Sequence, residues 1–211
     1  MPTLIAVAHG TRSPAGQAQI RDLVARVARR GIDVRLAYVD VQQPRVAEVV
    51  PLVPDAVVVP LLLSAGHHVR VDIADAVAGT SIPVTRPLGP DDVLLESLVR
   101  HLPRADAVVL AAAGSSDPAW RADVEALAGR LGAAGVGFVS GPGRRVPDIV
   151  AGLRAQGART IAVAAYLLAD GLFYRSLRKA GADHVTPPLC LDPAVTDLVV
   201  RRFLTTAAAR L

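Results

Sequence analysis

Apolar runs with little or no polar alternation recur along the chain: "LIAVA" (4–8), "VRLAYV" (34–39), "AVVVPLLL" (56–63), "AVVLAAA" (107–113), "GVGFV" (135–139) and "TIAVAAYLL" (160–168). Such runs suit strands buried on both faces, which parallel sheets provide and half-solvated antiparallel sheets do not. Helical patterns lie between them. Ile20, Leu23, Val24 and Val27 fall on one face of a helix, and Trp120, Val124, Leu127 and Leu131 repeat the spacing later. Ser13-Pro14, Asp117-Pro118 and Asp192-Pro193 each read as an N-cap followed by proline at the first helical position. Strand alternating with helix predicts an open, mostly parallel α/β sheet wound with right-handed crossovers.

The second half of the sequence repeats the first. "AHGTRSPAG" (8–16) lies over "AAGSSDPAW" (112–120), matching Gly10 to Gly114 and Pro14 to Pro118. "LLLSAGHHVR" (61–70) lies over "YLLADGLFYR" (166–175), matching Gly66 to Gly171 and Arg70 to Arg175. "YVD" (38–40) lies over "FVS" (138–140). Three strand ends matched in the same order predict two similar lobes, residues 1–103 and 104–211, each an open sheet flanked by helices like a flavodoxin or Rossmann half.

Composition narrows the function. The chain has 211 residues and a net charge of +4, and Lys179 is its only lysine. The arginines are scattered rather than blocked, without interleaved aromatics, so a nucleic-acid partner is not expected and a small polyanion suits them as well. The longest apolar run falls short of the ~18–20 residues of a membrane span. The amino terminus "MPTLIAVAHG" has no basic lead, which predicts a soluble, cytoplasmic protein without an export signal. A single cysteine, Cys190, excludes an internal disulfide framework and a thiolate metal cluster. No G-x-G-x-x-G follows the first strand and no G-x-x-x-x-G-K-[ST] occurs, so no nucleotide is expected.

In an open parallel sheet, ligands bind where loops leave the carboxyl ends of the strands. In the first lobe three such ends carry polar chemistry: His9 after the first strand, Asp40 at the end of the second, and His67 and His68 after the third. Imidazoles and a carboxylate at one edge make an open site for a divalent ion of borderline character. Asp40 alone reads equally well as a cap or an acceptor of backbone N–H groups. A carboxylate at the tip of a buried strand requires a partner in any case. The second lobe is an internal control. Its positions matching His9, Asp40 and His68 are Ala113, Ser140 and Phe173, none of them a comparable donor. If those residues served the fold, both lobes would keep them. The first lobe is therefore read as the reacting one and the second as a wall.

"HGTRSP" after an apolar strand, "VDVQQP" ending the next, and "PLLLSAGHHVRVDI" (60–73) together resemble the sirohydrochlorin chelatases, members of the class II chelatases. The family pattern is HGSR, an acidic strand end before Q-x-P, and PL-x-L-x-x-G-x-H followed by DIP. Thr11 departs from it, as does "DIA" (72–74), and Asp40 stands where some members carry Glu. The resemblance covers the whole chain, including the two-lobe layout of the longer members. It implies ATP-independent insertion of Co(II) or Fe(II) into sirohydrochlorin, a tetrapyrrole with eight carboxylate arms, for siroheme or cobalamin synthesis. The metal is then a substrate.

By the family's G-x-H spacing, His68 is the ligand and His67 its neighbour. His9 and His68 hold the ion and accept protons, with Asp40 as third ligand or as an orienting group. Arg12, Arg45 and Arg70, with Thr11, Ser13 and His67, flank the site as partners for the carboxylate arms, Thr11 and Ser13 lying at a helix start. A monomer suffices, since both lobes are in one chain. Two other readings share these residues: a non-enzymatic tetrapyrrole or metal carrier, and a nickel chelatase for a related macrocycle.

Overall fold

The chain builds two all-parallel sheets. The structure, a computed structural model, describes residues 1–64 and 67–210, with the backbone alone for residues 67–70. In the first sheet β1 (Thr3–Ala8) lies between β2 (Val34–Tyr38) and β3 (Ala56–Pro60). In the second, β4 (Ala107–Ala112) lies between β5 (Gly135–Phe138) and β6 (Ile161–Tyr166), and the short β7 (His184–Val185) extends it beyond β6. Every pairing is parallel. The central strands are apolar on both faces because helices cover both: Leu4, Ile5 and Val7 are fully buried, as are Val109, Leu110 and Ala111.

Helices connect the strands. They are α1 (Pro14–Ala28), α2 (Val46–Val49), α3 (His67–Val77), α4 (Asp92–His101), α5 (Pro118–Leu131), α6 (Val146–Ala155), α7 (Leu172–Leu177) and α8 (Pro193–Ala208). The three expected Ser/Asp-Pro starts are all N-caps. Ser13, Asp117 and Asp192 accept from the backbone N–H groups of Gly16, Ala119 and Ala194, with proline in the first turn each time. Among the described residues, no helix is long and apolar enough to cross a membrane.

The compact units do not follow the expected division at residues 103 and 104. One consists of Met1–Gly89 together with Asp192–Leu211, and the other of Pro90–Leu191. The two terminal helices of the repeats are exchanged. Helix α4, from the first half of the sequence, packs on α5 and β6 through Leu94, Leu95 and Leu98. Helix α8, from the second half, packs on α1 and β3 and buries Val195, Leu198, Val199 and Phe203.

Polar contacts hold α8 where it lies. Arg202 donates to the carbonyls of Pro87 (3.3 Å) and Leu88 (3.2 Å), Arg26 donates to Thr196 (2.9 Å), and Arg30 pairs with Asp197 (2.6 Å). At the end of the helix Arg210 donates to the Ala56 carbonyl (3.0 Å). These two compact units are the first and second lobes of the protein.

Candidate metal and substrate site

Parallel register brings the carboxyl ends of β1, β2 and β3 to one edge, with Ala8 paired to Tyr38 and Val7 to Pro60. His9 leaves β1 at that edge and is exposed. β2 ends at Tyr38, so Asp40 stands past the strand rather than in it. Its side chain is 63% exposed, and the burial cost expected from the sequence does not arise. The loop it begins folds back on itself: the Tyr38 N–H donates to the Pro44 carbonyl (2.9 Å), and the Gln43–Pro44 peptide is cis.

The His9 and Asp40 loops are clamped backbone to backbone. Val39 donates to the Ala8 carbonyl and Asp40 to the His9 carbonyl, each at 2.9 Å. Gly10 makes this approach possible. Its φ is +99°, and a Cβ placed there would lie 2.0 Å from the Asp40 carbonyl oxygen. Gln42 provides a second tie that the sequence did not disclose. Its Oε1 accepts the Thr11 N–H (2.9 Å), and it also bonds the buried Tyr38, whose hydroxyl pKa is raised chiefly by burial. The glutamine of the Q-x-P pattern was the available signal, without indicating what it holds.

Within the Asp40 loop one carboxylate oxygen is anchored. Oδ1 accepts the Val41 N–H (2.7 Å) and the Arg45 guanidinium (3.0 Å), and Arg45 also donates to the Val39 carbonyl (2.7 Å). The Val41 N–H, then the Arg45 hydrogen bond, hold the Asp40 carboxyl below its usual value, so it is ionised at neutral pH. His9 is near enough to add a smaller effect in the same direction. Among the described residues Oδ2 has no partner. One oxygen is fixed and the other is available, which suits a monodentate ligand or an imidazole-orienting group.

The other expected site residues divide by what already occupies them. The buried Ser13 hydroxyl caps α1, accepting the Gly16 N–H at 3.3 Å, and Thr11 Oγ1 accepts the Ser13 N–H at 3.1 Å. Both hydroxyl oxygens accept a local backbone N–H group and so shape the loop. Arg45 is committed to Asp40 and Val39. Arg12, three residues after His9, is exposed and has no partner among the described residues. His67, His68 and Arg70 lie in the first turn of α3, which follows β3 at the same edge, and their side chains are outside the described residues, as is Gly66 altogether. Among the described residues no three His, Cys, Asp or Glu side chains gather as metal donors, and His68 is not among the side chains described.

The second lobe has the same loop scaffold with different side chains. Val139 donates to the Ala112 carbonyl (3.0 Å) and Ser140 to that of Ala113 (2.8 Å). Gly114 has φ +103°, and a Cβ there would meet the Ser140 carbonyl oxygen at 1.9 Å. Bridges Tyr38–Arg45 and Phe138–Arg145 close the two loops alike. Where the first lobe has His9, Asp40 and His68, the second has Ala113, a Ser140 hydroxyl donating to the Ala113 carbonyl (2.8 Å), and an exposed Phe173.

The backbone at the next position is also shared. Val41 and Gly141 both have φ +68°, and Val41 is the one non-glycine residue with positive φ among those described. For a β-branched residue that conformation costs roughly 1–3 kcal/mol, whereas glycine adopts it freely.

A family model described as CbiX matches residues 3–105 and again residues 107–206. Among solved structures, the chain is similar to the sirohydrochlorin chelatase SirB from Bacillus subtilis subspecies spizizenii in complex with cobalt. That likeness has 21% identity and a TM-score of 0.73, covering 99% of this chain and 96% of that one. It is similar too to CbiX, described as the terminal enzyme for biosynthesis of siroheme in denitrifying bacteria (20% identity, TM-score 0.68, covering 96% and 98% of the two chains). A third likeness is the multi-domain DR2241 from Deinococcus radiodurans (19% identity, TM-score 0.66), of which 54% is covered against 96% of this chain. At these identities the likenesses establish the fold. No curated protein matches the sequence.

Proposed function

The chain belongs to the CbiX family, and from that membership we propose that it is a sirohydrochlorin chelatase inserting Co(II) or Fe(II) without a nucleotide. The observation that carries the reading is the contrast between two equivalent loops. The same backbone clamp presents His9 and Asp40 in one lobe and Ala113 and Ser140 in the other. Their chemistry is therefore not a requirement of the fold.

Insertion replaces two pyrrolic N–H protons with one divalent ion, so the site must deliver a cation and accept two protons. His9 and His68 serve as neutral donors that hold the ion at the open sheet edge and release it to four ring nitrogens. The ring nitrogen that is freed when the ion leaves is a proton acceptor, so each imidazole can take up a proton at that point. Asp40, ionised and fixed through Oδ1, offers Oδ2 to the cation or to the His9 ring. Arg12, with Arg70 of α3, pairs with carboxylate arms at the rim of the macrocycle.

Purified protein mixed anaerobically with sirohydrochlorin and either metal, followed by the absorbance change of the ring, tests the proposal. The expected result is a rate above the protein-free control that is lost in His9→Ala and in His68→Ala. A rate equal to the control leaves at most a carrier of metal or tetrapyrrole, and a rate retained by both variants removes the assigned site. Competition among Co(II), Fe(II) and Ni(II) decides the metal.

A further inference from the structure

The chelatase reading leaves Val41 without a role, yet this residue holds a conformation that a glycine would adopt more readily. Its counterpart Gly141 has the same φ of +68° in a loop closed by the same backbone hydrogen bonds, so the turn requires no side chain there. Nor does the valine recover its conformational cost by packing: it is 42% exposed and lies outside the apolar core of its lobe. An exposed aliphatic residue by itself is ordinary, and so is a left-handed turn. A stiff, branched, exposed side chain kept in a backbone region that disfavours it is not.

Its location indicates what it is for. The Val41 N–H holds Asp40 Oδ1, and the Val41 Cβ lies 3.3 Å from where a Cβ on Gly10 would project. The isopropyl group thus stands over Gly10, next to His9 in sequence and next to Asp40, at the edge where a metal would be handed over. Neither the metal nor the carboxylate arms gain from an apolar group there, whereas the face of a conjugated macrocycle does.

We propose that Val41 is a substrate-contact residue that packs its branched side chain against the tetrapyrrole beside the metal-bearing groups, an assignment that rests on the chelatase reading. The backbone strain is retained because the side chain is used. Burying such a group against a ligand corresponds to about tenfold in affinity.

The test titrates metal-free sirohydrochlorin into the wild-type chain and into Val41→Gly, Val41→Ala and Val41→Ile, following quenching of the ligand's fluorescence, with melting temperatures measured in parallel. The proposal expects Val41→Gly to melt higher than wild type yet bind about tenfold weaker. Val41→Ala should bind weaker without melting higher, and Val41→Ile should bind as wild type does. Wild-type affinity in both the glycine and alanine variants overturns it. Weak binding by the glycine variant alone overturns it too, since backbone stiffness rather than contact would then be responsible. A wild-type chain that neither binds nor metallates sirohydrochlorin removes the chelatase reading instead, a result separate from either outcome among the variants.

Discussion

The two lobes share a scaffold and differ in what they mount on it. Gly10 and Gly114 permit equivalent close approaches, and Asp40 and Ser140 donate through their backbones to equivalent carbonyls. The side chains at those positions diverge from imidazole and carboxylate to methyl and hydroxyl. Backbone geometry at a sheet edge is set by the strands and the glycine, and it tolerates such divergence: His9 and Asp40 are exposed, whereas Ala113 packs half-buried against the core of its lobe and Ser140 is half-buried. Their identity therefore reports function, whereas the glycines report architecture.

The most severe way to break the comparison is to exchange the side chains. His9→Ala, which makes the first lobe resemble the second, should lower chelatase turnover by about 10²–10⁴-fold, as loss of a positioned acid–base group does. Ala113→His should add no activity, because the positions matching Asp40 and His68 are Ser140 and Phe173, which supply neither a carboxylate nor a second imidazole. Turnover by a double variant carrying both changes would show that the scaffold alone is sufficient. Anaerobic absorbance assays read all three.

A smaller effect concerns the glycines, where the lobes should agree. Gly10→Ala and Gly114→Ala each place a Cβ against a carbonyl oxygen in a left-handed turn, and each should cost more than about 1 kcal/mol. For a chain of this size that lowers the melting temperature by at least about 2–4 °C. Calorimetry should find both losses, and activity should fall further in Gly10→Ala, which displaces His9 and Asp40. A stable Gly114→Ala variant would show that the clamp is not shared.

The smallest effect is electrostatic. Asp40 and Asp106 both have carboxyls lowered by backbone N–H groups, Asp40 by Val41 and Asp106 by Thr160 and Arg159. Asp106 lies before β4, at the amino edge of its sheet, and Asp40 lies at the carboxyl edge. For both, the folded value lies below the unfolded value of 3.8. The stabilisation is therefore complete above that unfolded value and is lost as pH falls through the lowered folded one. Asp40→Asn and Asp106→Asn should each differ from wild type in stability at neutral pH and converge with it in acid, as urea titrations against pH would reveal. Only the Asp40 variant should also lose metal affinity. Equal activity in the two would remove Asp40 from the site.

The strands, the three capped helices and the repeat were legible in the sequence because each rests on local pattern: apolar runs, Ser/Asp-Pro pairs and matched glycines. The polar strand ends were legible by comparing the two halves. The position of Asp40 is not legible in the same way, because Val39 continues an apolar run after β2 has ended at Tyr38, so the strand looks longer in sequence than its hydrogen bonding. The occupation of Ser13, Thr11 and Arg45 by local partners was not readable, since hydroxyls and guanidinium groups beside a site serve a cap or a ligand with the same sequence signature. The exchange of α4 and α8 was invisible for a different reason. An amphipathic helix states that it needs an apolar surface and does not state which of two similar sheets will supply it.

That exchange has a consequence for how the gene could be cut or inherited. Severed at the repeat boundary, each fragment would carry a helix fitted to its sibling and lack the one that shields its own sheet. Neither piece would be a self-sufficient descendant of a one-lobe ancestor, whereas the pair supplied together would restore every helix to its seat. Mixing the fragments should therefore recover what separate expression loses, a genetic interdependence created by two crossings of the chain rather than by any residue of the metal-binding edge.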